Sequence, residues 1–237
     1  MMRALSQVLD DLAALVANAH APAWFGLSAG VICLAAYWSL SGVGAPGPQL
    51  PQAAIFAVAW AALLLLLVPL ILARLLGLGP AELGFRLGDA RWGSRAALVI
   101  ALVLVPLTVL LASQPTVHRA YPWAGAWPLE HPLNTAAWLF LTGLTALALE
   151  VFHRGFILRS VASRWGWTQG VWTQAALFSL AHLGAPLVVV LAALPLALVL
   201  AVLAGRSHSI LYSWLVLFAL MAVRDLVALH HKGMLIS

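Results

Sequence analysis

Charge is the scarcest commodity in this sequence. Asp, Glu, Lys and Arg make up 8% of its 237 residues, against 64% apolar ones, whereas a soluble domain carries roughly 25% charged and 45–50% apolar residues. Seven acidic and twelve basic side chains cannot keep a surface of this size in water. An ordinary soluble enzyme is therefore excluded, and so is a disordered chain, which needs a polar, charged composition. The net charge of +5 is small and its arginines are scattered among apolar stretches, which excludes a nucleic-acid partner that would need a basic patch. Cysteine is nearly absent too. Cys33 stands alone, so an intrachain disulfide and a cysteine-built metal site are both excluded.

What is there is apolar helix former in long runs. No Asp, Glu, Lys or Arg occurs at 21–73, 165–205 or 207–223, and a bilayer core about 30 Å thick needs ~20 apolar residues as helix. Each of the two longer runs holds more than one crossing. The predicted fold class is all-α: a polytopic membrane protein with about seven transmembrane helices. These are expected near 24–40, 53–76, 96–111, 135 to beyond Glu150, 168–183, 187–203 and 209–229. Residues 1–22 form an N-terminal amphipathic segment, with Leu5, Val8, Leu9, Leu12, Leu15 and Val16 at helical spacing opposite Asp10 and Asp11. The two aspartates also argue against a signal peptide, which needs an unbroken apolar stretch there. Residues 23–237 read as a single membrane domain.

Arginine placement sets the expected orientation. Arg74, Arg86, Arg91 and Arg95 lie in one connector, Arg159 and Arg164 in a second, and Arg206 in a third, whereas the intervening loops hold only Arg119. By the positive-inside rule the Arg-rich connectors are cytoplasmic, with the N-terminus inside and the C-terminus outside. Pro69, Pro106 and Pro195 fall within apolar runs, where membrane helices tolerate them.

Ionisable groups inside a bilayer are expensive and therefore informative. Glu150 and Arg154, four residues apart, share a helix face and can pair; His153 is on the same side. Glu150 lies fourteen residues before Arg164, and His182 fourteen after Thr168. In an antiparallel hairpin both stand about 21 Å from the turn, so the carboxylate and the imidazole are expected at one level. Such a pair can activate a water and hold the developing oxyanion in peptide hydrolysis. The bland alternative is an ion pair that locks helix packing, with His182 bonded to a carbonyl.

At these residues the chain resembles the CPBP family of intramembrane proteases, which includes the CAAX-processing endopeptidases and bacteriocin-processing relatives. The family's Glu-Glu-x-x-x-Arg-Gly-Phe motif reads Leu149-Glu150-Val151-Phe152-His153-Arg154-Gly155-Phe156, and its Phe-x-x-x-His motif reads Phe178-Ser-Leu-Ala-His182. Upstream, Glu82-Leu-Gly-Phe-Arg-Leu87 is similar to a phrase that precedes the catalytic region, so the protease-like core is about 80–223. The resemblance implies catalytic roles for Glu150, Arg154 and His182. It implies a membrane-anchored or lipidated peptide or protein as substrate, with the lipid bilayer as surroundings, in a bacterial inner membrane. It assigns no cofactor and leaves a metal open. The sequence departs from the family at Leu149, where the first glutamate belongs, and at Leu217 and Met221, where the third motif's His and Asn align. His208 or Tyr212 could supply a polar substitute near Leu217. A relative that has lost catalysis and serves as a membrane scaffold or chaperone is the alternative function. Glu150-x-x-His153 has di-iron spacing, but no second copy exists.

Overall fold

The computed structural model describes residues 20–41, 51–122 and 124–232. The amphipathic segment expected at 1–22 lies, save for its last three positions, outside the described residues. The described chain is helix and turn throughout, with no strand. It begins with α1 (Ala21–Ser41) and α2 (Pro51–Ala61); α2 continues through a π-helical segment (Ala62–Leu67) into α3 (Val68–Leu75). After a connector come α4 (Ala90–Ala112) and the short α5 (Pro115–Ala120) and α6 (Trp127–Glu130). α7 (Pro132–Glu150) runs through a second π-helical segment (Val151–Ile157) into α8 (Leu158–Trp165). α9 (Trp167–Leu180), α10 (Leu187–Ser207) and α11 (Leu211–His231) complete the bundle.

Among the described residues six stretches are long and apolar enough to cross a membrane, one fewer than the seven expected from the sequence: α1, α2–α3, α4, α7–α8, α10 and α11. The difference is α9. It has 14 residues, about 21 Å of helix, against the ~30 Å of a bilayer core. The chain turns straight after Leu180, Gly184 takes a positive φ of 88° and Pro186 follows, so the helix stops short of residue 183. α9 lies instead against α8 and α10, burying Gly170, Gln174 and Phe178. The opposite excess occurs in α7–α8, whose 34 residues extend about 51 Å. Its last turns carry Arg159, Ser160, Ser163 and Arg164, so the excess length is polar. Pro106 and Pro195 sit inside α4 and α10 without breaking them.

Local chemistry starts and stops these helices. The Asp89 carboxylate caps α4 by accepting the Trp92 N–H at 3.0 Å, and His131 Nδ1 caps α7 by accepting from the Leu133 N–H; each satisfies a donor that a helix start leaves open. Gly166, at φ 97°, makes the sharp turn between α8 and α9 that a side chain would strain. Leu98, Leu102, Val103, Leu107 and Leu110 of α4 are largely exposed. In water that stripe would be a costly apolar patch, whereas in a bilayer it faces its own solvent.

The Arg-rich segments gather at one end of the bundle. Trp24 packs edge-on against Trp165 at 4.7 Å, the Asp89 N–H donates to the Ser207 carbonyl, and Arg86 Nε donates to the His208 carbonyl at 3.0 Å. At the other end His118 stacks on His231 at 5.3 Å and Arg224 lies 3.8 Å over the Tyr121 ring. Burial, then the charges of the neighbouring His231, Arg119 and Lys232 side chains, lower the pKa of His118 from the ordinary imidazole value.

Among the described residues two large apolar cores result, with two smaller clusters beside them. One joins α1, α3, α8 and both π segments around Leu65, Phe152, Phe156 and Ile157. The other joins α9, α10 and α11 around Phe178, Leu200, Leu203 and Leu217, with α4 packed against it. Leu149 touches both, so the adjacent Glu150 stands where they meet.

Candidate functional site

Glu150 is the last residue of α7, and the π-helical segment begins at the next residue. A π segment widens the helix by a residue per turn and is frequent at functional sites. Here it presents His153 and Arg154 to the interior together, and all seven of its residues are buried. Glu150 Oε1 lies 3.1 Å from Arg154 Nη1, with both side chains 0% exposed. The approach is an ion pair without aligned hydrogen-bond geometry: Glu150 Oε1 and Arg154 Nε, Nη1 and Nη2 have no hydrogen-bond partner among the described residues. A guanidinium carries five donors, and leaving them unspent at full burial is costly. What Arg154 does contact is a ring. Its guanidinium carbon is 4.5 Å from the centroid of Phe178, a cation–π arrangement.

Phe178 is the hub of the arrangement. Besides Arg154, its ring meets His153 edge-on at 5.0 Å and His182 at 4.7 Å. The two motifs thus touch through an aromatic side chain. His182 is half-buried, in the turn just past α9. Its Nδ1–H donates to the Phe178 carbonyl at 2.8 Å, and the His153 Nδ1–H donates to the Leu149 carbonyl at the same distance. A carbonyl can only accept, so in each neutral ring the proton is on Nδ1 and the lone pair on Nε2. That tautomer makes Nε2 the basic atom. No hydrogen bond or ion pair joins Glu150 to His182 among the described residues; their connection runs through Arg154 and Phe178.

Ser213 joins the site although no sequence motif marks it. Its hydroxyl lies 2.5 Å from Glu150 Oε2 and 3.0 Å from the Ile210 carbonyl, and it is fully buried. One hydroxyl proton serves one acceptor well, and the shorter, charge-assisted bond to the carboxylate is the stronger. Ser213 is one helical turn before Leu217, the position expected to be polar, and that spacing was the available signal. Leu217 itself is buried among apolar neighbours, and Met221 packs against the same cluster. Neither foreseen substitute reaches Glu150: the Tyr212 hydroxyl donates to the Leu87 carbonyl at 2.9 Å, and His208 is the left-handed residue ending α10. The upstream phrase does meet this region, since the Ile210 N–H donates to the Gly84 carbonyl and Leu83 is buried. Among the described residues no group of three or more His, Cys, Asp or Glu could hold a metal ion.

Fold and site together define a polytopic α-helical membrane protein with a buried Glu–Arg centre flanked by two imidazoles. Comparison with known families gives a match over residues 131–223 to the Rce1-like family, described as type II CAAX prenyl endopeptidase Rce1-like. The match covers the stretch that holds Glu150, Arg154, Phe178, His182 and Ser213, and it supports membership of the CPBP group of CAAX-type intramembrane proteases. No curated protein and no solved structure matches it.

Proposed function

We propose that this chain is an intramembrane endopeptidase that hydrolyses a peptide bond of a membrane-anchored or lipidated substrate, in a bacterial inner membrane with the Arg-rich end cytoplasmic. Glu150 is the general base. It takes a proton from a water whose oxygen attacks the scissile carbonyl carbon, and that proton passes to the leaving amine nitrogen as the C–N bond breaks. Arg154 orients Glu150 and offers its unspent donors to the oxyanion. His182, with Nε2 free of its proton, holds the water. The observation that carries this reading is a carboxylate wholly removed from solvent, held by Arg154 and Ser213, within the Rce1-like stretch.

The test is cleavage of a candidate membrane substrate by reconstituted wild type, Glu150→Gln and His182→Ala. Glu150→Gln is expected to lose roughly 10²–10⁴-fold in rate, the usual worth of a general base, and His182→Ala to fall as well. Equal activity in all three removes the catalytic assignment. A second reading, a membrane scaffold or chaperone for a partner protein, is favoured by the apolar Leu149, Leu217 and Met221 at usually polar motif positions. Full complementation of a deletion strain by Glu150→Gln would select it.

A further inference from the structure

Away from Glu150, the Arg-rich end of the bundle carries a lateral groove of about 760 Å³ between the start of α4 and the end of α10. Its walls are the valines and leucines of two spans, among them Val99, Val199 and Val202, all partly open to the surroundings. Arg91, Trp92 and Arg95 line its mouth. The two arginines are one helical turn apart, so they share one face of α4, where it lines the groove. Neither is spent on an ion pair among the described residues, whose ion pairs are Glu150–Arg154 and Arg224–Asp225. Asp89 also lines the groove, but its carboxylate is engaged in capping α4.

We infer that this groove is a binding site for one bilayer phospholipid with an anionic headgroup. An acyl chain fits between α4 and α10, where it covers apolar surface that neither helix covers for the other. The phosphate and its anionic head meet Arg91 and Arg95, whose forked donors suit phosphate oxygens. Trp92 stands at the headgroup level, where indoles partition. Basic pockets between membrane helices hold anionic lipid heads in this way. The assignment is separate from the peptidase reading, because no wall of the groove contains Glu150, Arg154, His182 or Ser213.

The experiment uses the full chain in phosphatidylcholine nanodiscs, doped with phosphatidylglycerol bearing a photoreactive group on one acyl chain, or with the matching phosphatidylcholine probe. Cross-linked peptides are located by mass spectrometry. The segments around Val99 and Val202 are expected to label about 30-fold more with the anionic probe, the factor two arginine charges supply. Arg91→Gln/Arg95→Gln is expected to reduce that preference to parity, and Arg91→Lys/Arg95→Lys, which keeps the charge, to retain most of it. Both pairs change exposed side chains, so folding is preserved. Equal labelling by the two probes in wild type, or an anionic preference that survives Arg91→Gln/Arg95→Gln, overturns the proposal.

Discussion

Ser213 shows how much one hydroxyl can weigh when it is buried. Glu150 has no access to solvent, one oxygen approaches Arg154 and the other accepts from Ser213. Removing the hydroxyl leaves a carboxylate oxygen in apolar surroundings with no donor, and an orphaned buried group costs about 1–3 kcal/mol, more if charged. Ser213→Ala is therefore expected to lower stability by about that amount in reversible unfolding from detergent micelles, and to reduce cleavage as the carboxylate loses its orientation. The same substitution in a Glu150→Gln background should cost less, because the charge that needed the donor is gone. Equal losses in both backgrounds would mean that Ser213 acts through the Ile210 carbonyl alone. Glu150, Arg154 and His182 were legible as intramembrane polar groups at telling spacings. Ser213 was not, since a serine in a membrane helix normally satisfies itself on its own backbone and only the approach of α7 makes it a partner.

At the scale of elements, the site depends on how closely α9 lies against α8, because α9 supplies Phe178. Gly170 permits that approach. A Cβ there would fall 2.8 Å from the Leu158 carbonyl oxygen and 2.9 Å from the Ala162 Cβ, both on α8. Backbone cannot yield as a flexible side chain can, so Gly170→Ala is expected to push the helices apart and cost about 1–3 kcal/mol, read as a lower unfolding midpoint and slower cleavage. Gly143→Ala is the contrast. Its Cβ would meet Phe218 at 3.7 Å, an ordinary contact, and in a helix interior alanine is favoured over glycine by about 1 kcal/mol; no loss is expected. Most helices were legible from apolar runs bounded by Gly and Pro. The π segment after Glu150 was not, because nothing in Val-Phe-His-Arg-Gly-Phe-Ile distinguishes an i→i+5 turn from an ordinary one. The length of α9 was misjudged for a related reason: Ala181, His182 and Leu183 suit a helix well enough, and the early stop comes with the turn through Gly184.

For the whole molecule, the gathering of Arg86, Arg159, Arg206 and their connectors at one end, with His118, Arg119 and His231 at the other, gives a testable sidedness. Cys33 is the only cysteine and is buried, so a Cys33→Ala background allows single reporters. An impermeant thiol reagent applied to intact cells is expected to label Arg119→Cys and to spare Arg164→Cys and Arg206→Cys until the membrane is opened. The reverse pattern would invert the orientation drawn from the positive-inside rule.

Composition alone determined that this chain dissolves in lipid and builds its backbone as helix, because scarce charge and long apolar runs permit no other way of satisfying peptide groups in a bilayer. Spacing along the chain determined that Glu150 and Arg154 pair, since both lie on one helix. Tertiary structure decided everything that needs two distant segments. It brought Ser213 to Glu150 across 63 positions, set Phe178 rather than a direct contact between the acidic centre and His182, and opened the groove between α4 and α10. Those outcomes depend on which faces of which helices meet, and that follows from the packing of the whole bundle, not from any local pattern.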